Sequence, residues 1–346
     1  MAIKRIGLVF GGKSAEHEVS IMSARSVYKE LISTDYQASP IFINKDGYWL
    51  DAETSKRVIN GDIEQTKDIT SDYQTIFASL VNNFPENIDL VFPLMHGPFG
   101  EDGKIQGFFE VLDIPYVGAG TSASAVSMDK IYFKNILSKY DLPQTKYITI
   151  SESNWAEAET QQILEIKNRI REEIAYPLFV KPANLGSSIG ISRVTEEEGV
   201  ESAIDFALKY DNRILIEAEV SGREIECSIL EVEAGCISSR PGEIIPANEF
   251  YDYEAKYYSN DTILKTPADL SNKLENRIRD LAEKTFQLIN CSGLARIDFF
   301  LDNKNNIFIN EINTMPGFTP KSMYARMWEA SGLNYSDLLK KLIDIS

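Results

Sequence analysis

The chain has 346 residues, enough for two or three packed units of ordinary domain size. Its 43% hydrophobic and 25% charged residues exclude a disordered or fibrous protein. A formal net charge of -17 argues against nucleic acid as a partner, because affinity for a phosphate backbone comes mainly from surplus Lys and Arg. No stretch approaches the roughly 20 apolar residues that cross a bilayer, so no membrane partner is expected. Three cysteines without CxxC spacing, Cys227, Cys236 and Cys291, suit a reducing, cytoplasmic location and are read as core or strand residues.

Met1 to Arg5 followed by Ile6 to Phe10 has the charge pattern of a signal peptide, but the apolar run is too short and is read as a first strand. Gly11 to Ser20 then opens a helix predicted over Ser14 to Leu31, where α/β folds place ligands. The loop lacks GxGxxG, which removes a dinucleotide and with it a nicotinamide-dependent dehydrogenase. Glu16 at this helix start suits either a substrate ammonium group or simple stabilisation of the helix N-terminus. Strands follow at Pro40 to Ile43 and Ile88 to Leu94. His96 to Gly103 leads into a helix whose Ile105, Phe108, Phe109 and Leu112 share one face. This alternation predicts a parallel α/β sheet with a domain boundary near Gly118.

A helix is predicted over Ser122 to Leu137, carrying Lys130 near its start, and an acidic helix over Trp155 to Ile174. Leu178 to Val180 reads as a buried strand delivering Lys181 into the Gly/Ser-rich loop Pro182 to Gly190. Such a loop leaves backbone N–H groups to cradle phosphate, although the Walker A order is absent and a plain turn would also fit. Lys130 and Lys256 would each also fit as surface charges, but if so acidic a chain binds a polyphosphate, they and Lys181 are the natural cations for it.

A helix over Ser271 to Ile289 places Leu274, Ile278, Leu281, Ala282 and Thr285 on one face. Ala295 to Leu301 and Ile307 to Asn313 then read as a hairpin around Asn303 to Asn306. The simplest register sets Asp298 opposite Glu311 and Arg296 opposite Asn313, with all four side chains on one face. Two carboxylates and an amide oxygen suit hard Mg²⁺, and a surface ion pair would use the same residue types.

Taken together, His96 to Gly103, Lys181 to Gly190, Glu249 to Tyr257 and Asn310 to Thr319 resemble the D-alanine:D-alanine ligases of the ATP-grasp superfamily, and the match runs over nearly the whole chain. The resemblance implies a three-domain α/β and α+β fold: residues 1–118 as a Rossmann-like substrate domain, 119–216 as the central and 217–346 as the C-terminal ATP-grasp domain. It implies ATP held by Lys130, Lys181, Ser187, Ser188 and Lys256, with Glu217 and Val220 at adenine and Glu224 at ribose. Asp298, Glu311 and Asn313 would hold two Mg²⁺ ions, with Mn²⁺ as a possible substitute. Glu16 would anchor the first D-alanine's ammonium and His96 orient its carboxylate. Arg296 and the Gly317 N–H would form the oxyanion hole, and Ser322 would bind the second D-alanine's carboxylate.

By the same resemblance Glu16, Ser187 and Tyr257 would tie a mobile loop shut over a D-alanyl phosphate, excluding water. The expected product is D-alanyl-D-alanine, a peptidoglycan precursor, from two molecules of D-alanine and ATP, with the protein a homodimer. The alternatives are a ligase that takes D-lactate or D-serine second, against which Tyr257 weighs for lactate, and a catalytically silent ATP-binding protein.

Overall fold

The apolar run beginning at Ile6 becomes the central strand of a parallel sheet in the computed structural model, which describes residues 4–63, 72–157, 159–246 and 262–346. Strand β1 (Arg5–Gly11) pairs with β2 (Gln37–Ile43) on one side and β3 (Leu90–Pro93) on the other. Its near-continuous hydrophobicity follows from burial on both faces. The helices His17–Leu31 and Lys104–Val111 lie close to the expected spans. Helices Ala52–Asn60 and Tyr73–Asn83 were not expected, and each starts on an aspartate, Asp51 or Asp72, that caps the first turn.

A second, antiparallel sheet runs β4 (Tyr147–Ser151), β7 (Arg213–Ala218), β5 (Leu178–Pro182), β6 (Ser192–Val194). A third and larger antiparallel sheet runs β11 (Ile263–Lys265), β10 (Gly242–Ile245), β8 (Gly222–Val232), β12 (Leu294–Asp302), β13 (Ile307–Asn313), with β9 (Gly235–Ser238) paired to β8. Helix Asn272–Leu288 covers it through Ile278, Ala282, Thr285 and Phe286, capped at Ser271. Cys227 on β8 and Cys291 are buried and Cys236 is partly so, and all three are free thiols.

Two expected helices are broken. Ser122 to Leu137 divides into Thr121–Met128 and Lys130–Lys139, because the Asp129 carboxylate accepts from the Ile131 and Tyr132 N–H groups and starts a new helix. The acidic helix divides into Glu152–Ala156 and Thr160–Arg169, continued by a wide turn at Ile170–Ile174.

Core packing departs from a division of the chain into consecutive blocks at 118 and 216. Ala119, Ala123, Phe133 and Leu137 belong to the apolar cluster of the third sheet with Ile297 and Ile309, whereas Ile131 packs with Ala183 and Leu215 at the second, so residues 119–137 bridge the two sheets. The closing helices Met323–Ala330 and Tyr335–Ile345 return to the first sheet, where Tyr324, Trp328, Leu338 and Leu342 share a core with Ile6, Leu8 and Phe10. Gly118 and Gly293 meet where these units join, and a Cβ on Gly293 would lie 2.8 Å from the Gly118 backbone. Among the described residues no helix is long and apolar enough to cross a membrane.

Candidate active site

Three adjacent strands carry a row of acids. The hairpin takes the expected register, Arg296 opposite Asn313 and Asp298 opposite Glu311, and β8 sets Glu226 opposite Asp298 on the other side. A bulge after Asp298 leaves Asn310 as the extra residue, a common device for re-aiming side chains beside a site. Arg296 donates through Nε and Nη2 to the two Asp298 oxygens at 2.7 and 2.6 Å, and lies 3.2 Å from Glu226. Burial opposes the Arg296 charge, but Asp298, Glu226 and Glu311 outweigh it and hold its pKa well above the usual arginine value. Asn313 donates its amide nitrogen to Asp298 at 3.0 Å. Glu226 was missed in the sequence; its signal was the i, i+2 spacing from Glu224 on the same strand, Gly222–Val232.

Among the described residues no three His, Cys, Asp or Glu side chains already converge as a metal cage. Carboxylate oxygens on Asp298 and Glu311 and an amide oxygen on Asn313 nevertheless fit Mg²⁺, which keeps several positions for water and nucleotide phosphate.

Opposite this row stands the Gly/Ser-rich loop that follows β5. Strand β5 delivers Lys181, and Asp211 pins the start of the loop by accepting from both the backbone and the side-chain nitrogen of Asn184 at 2.8 and 2.9 Å. Ser187 and Ser188 are both left-handed, with φ of 53° and 58°, a costly arrangement for two consecutive non-glycine residues and one typical of ligand loops. Ser187 Oγ donates to Glu16 at 2.7 Å, the tie expected between loop and first helix. Gly97 makes room for it, since a Cβ there would fall 2.3 Å from a Glu16 oxygen. Lys130 is fixed twice: its backbone N–H donates to Ala183 at 2.9 Å, and its ammonium donates to the Leu185 carbonyl at 2.5 Å.

Between loop and acid row lies a cavity of about 380 Å³, a size that holds a small ligand. Lys130, Lys181, Ser187, Ser188, Glu217, Val220, Glu224, Asp298 and Glu311 all line it. Glu217, at the end of β7, is buried and paired with both Lys134 and Lys181. Burial alone would raise its pKa, but the two lysines hold it well below the ordinary carboxylate range. Lys256 and Tyr257, with the motif Glu249 to Tyr257, lie outside the described residues.

His96 is placed differently from the expectation that it orients a substrate carboxylate. The Met315 carbonyl, 2.8 Å from Nδ1, can only accept, so Nδ1 carries the proton and Nε2 accepts from the Ser23 hydroxyl at 2.9 Å. Both ring nitrogens are therefore engaged by the protein, and burial lowers the His96 pKa despite the nearby Glu16 charge, keeping the ring neutral. Ser23 in turn accepts from the Phe318 N–H at 3.2 Å. Glu101, missed in the sequence among other acids, accepts from the N–H groups of Gly97 at 2.6 Å and Met315 at 3.2 Å. Burial and the neighbouring Glu16 push its pKa up to about 8. This network clamps the turn that carries Gly317. Ser322 begins helix Met323–Ala330, and its hydroxyl lies 2.9 Å from that of Thr319.

A cavity walled by two antiparallel sheets, with lysines on one side and a carboxylate row on the other, defines an ATP-grasp ligase. Family models described as D-ala D-ala ligase N-terminus and C-terminus match residues 5–119 and 136–344. The chain belongs to the D-alanine–D-alanine ligase family. Curated relatives named D-alanine–D-alanine ligase include one from Halothermothrix orenii, 46% identical over 100% of this chain and 99% of its own, and one from Acetivibrio thermocellus, 43% identical over 99% and 96%. Among solved structures, the VanG D-Ala:D-Ser ligase from Enterococcus faecalis covers 99% of each chain at a TM-score of 0.84 and 33% identity. The D-alanine-D-alanine ligase from Coxiella burnetii covers 99% of this chain and 94% of its own, at 0.80 and 36%.

Proposed function

We propose that this protein joins two D-alanines to D-alanyl-D-alanine at the expense of ATP, through a D-alanyl phosphate, and so supplies peptidoglycan synthesis in the cytoplasm as a homodimer. The observation that carries the reading is the facing of Lys130 and Lys181 against Asp298 and Glu311 across one cavity. Positive groups there neutralise a polyphosphate in an otherwise acidic chain. Glu217, Val220 and Glu224 line the same cavity, where Glu217 and Val220 would meet adenine and Glu224 the ribose.

Asp298, Glu311 and Asn313 would hold Mg²⁺, which supplies charge neutralisation at the phosphates when bound. Glu16, tied to Ser187, faces the loop as the anchor for the first substrate's ammonium. That substrate's carboxylate attacks the γ phosphate to form the acyl phosphate and ADP. The amine of the second D-alanine, its carboxylate held by Ser322, then attacks the activated carbonyl and phosphate leaves. Arg296 and the Gly317 N–H stabilise the oxyanion of this second step. Most of the acceleration is positioning, because no side chain forms a covalent intermediate.

The test is phosphate release from Mg·ATP with D-alanine, with L-alanine as the control and D-lactate or D-serine added as second substrate. Release with D-alanine alone, yielding the dipeptide, supports the reading. Preference for D-serine would place the chain functionally with the VanG enzyme, and release with none of the substrates would overturn it.

A further inference from the structure

Lys134 is the most fully buried cation on the cavity side of the described chain, 2% exposed, yet it does not line the cavity. It lies one turn beyond Lys130 on helix Lys130–Lys139. Its ammonium donates to Thr145 Oγ1 at 2.9 Å and pairs with Glu217 Oε2 at 2.9 Å. Thr145 donates to the same Glu217 oxygen, also at 2.9 Å. The other oxygen, Oε1, is held by Lys181, which together with Glu217 does line the cavity. Glu217 thus has a cation behind it, sealed in the core, and a second one in front, at the ligand.

These two cations are not equivalent. A buried carboxylate stripped of its only cation is strongly destabilised, so Lys181 can leave Glu217 for a phosphate only if something else keeps that carboxylate paired. Lys134 and Thr145 do this from the side that no ligand reaches. Once Lys181 turns away, Glu217 Oε1 is left facing the cavity, able to accept from an N–H donor such as an amino group on a purine.

We propose that Lys134 is a positioning residue for the nucleotide: a permanent counter-ion to Glu217 that lets Lys181 transfer from the carboxylate to phosphate. It acts only through Lys181 and touches neither substrate nor nucleotide. This inference rests on the reading of Lys181 as a phosphate ligand.

The test compares ADP and adenosine binding by calorimetry in the full-length protein carrying Lys134→Met, Lys134→Arg, Lys181→Met or both methionines. Adenosine has no phosphate to draw Lys181 away, so Lys134→Met should leave its affinity within about twofold while weakening ADP by about tenfold or more. Lys134→Arg should restore most of the ADP affinity, and Lys134→Met should add little to the loss already caused by Lys181→Met. Parallel loss of ADP and adenosine, full additivity of the two methionines, or unchanged ADP binding in Lys134→Met would each overturn the proposal. Unchanged ADP binding in Lys181→Met would instead remove the phosphate role of Lys181. Thr145→Val, which keeps both charges, provides the same comparison if Lys134→Met does not fold, with a smaller selective loss of ADP expected and a parallel loss of both ligands overturning it.

Discussion

Arg296 joins chemistry to stability at a single position. Its guanidinium satisfies both Asp298 oxygens and lies beside Glu226, so the same fork that would steady an oxyanion also offsets a cluster of acids. Arg296→Lys keeps the charge but loses the fork, and kcat is expected to fall by about 100-fold with the fold intact, measured by steady-state phosphate release. Glu101 and His96 set opposite pH dependences within one clamp. Between about pH 4.5 and 8 the folded chain keeps a proton on Glu101 that the unfolded chain releases, so this group lowers stability as pH rises through that window. His96, whose pKa is lowered, costs stability as pH falls below its ordinary value of 6.5, where the unfolded chain takes up the proton first. Glu101→Gln should remove the alkaline-side decline, so that thermal midpoints from pH 5 to 8 become flatter than in the parent; an unchanged slope would show that Glu101 is already ionised.

At the scale of elements, helix Lys130–Lys139 owes its start to Asp129, and that start sets where Lys130 and Lys134 point. Asp129 accepts from two N–H groups of the first turn and pairs with Arg213 on β7, joining the helix to the strand that carries Glu217. Asp129→Ala should cost about 1 kcal/mol from the lost cap alone and raise the KM for ATP, read from urea denaturation and from initial rates. The carboxylate hairpin was legible at Arg296 and Asp298, where alternation and a four-residue turn leave few registers that bury Ile297 and Ile312 together, but the bulge that sets Phe299 opposite Ile309 was not. The break at Asp129 was not legible in the same way. The apolar spacing on its two sides reads as one helix, and only the hydrogen bonds of the folded chain reveal two.

Over the whole molecule, the C-terminal helices are part of the first sheet's core although more than 300 residues separate them from β1, as the Lys4 to Ile343 hydrogen bond also shows. Leu342 is fully buried there, and Leu342→Ala is expected to destabilise the protein by about 2–5 kcal/mol. Because the turn bearing Gly317 leaves the third sheet and leads into these helices, the same variant should also reduce activity near the unfolding midpoint, as a temperature series of rates would show. No such loss below the transition would mean that the helices hold the fold without steering the site. Three sheets thus share the site: the first brings Glu16 and Glu101, the second Lys181 and Glu217, and the third the acid row.

The sequence by itself determined the parallel first sheet, the opposition of Asp298 to Glu311 and of Arg296 to Asn313, and the choice of Lys130, Lys181, Asp298 and Glu311 among the residues that line the cavity. These are local matters, decided by side-chain period, turn chemistry and motif order. Tertiary structure alone decided that residues 119–137 bridge the second and third sheets, that both His96 nitrogens are spent on Ser23 and Met315, that Glu226 completes the acid row and that Lys134 stands behind Glu217. Each depends on contacts between segments far apart in the chain, where burial and the pairing of charge are settled by which surfaces meet rather than by any neighbour in sequence.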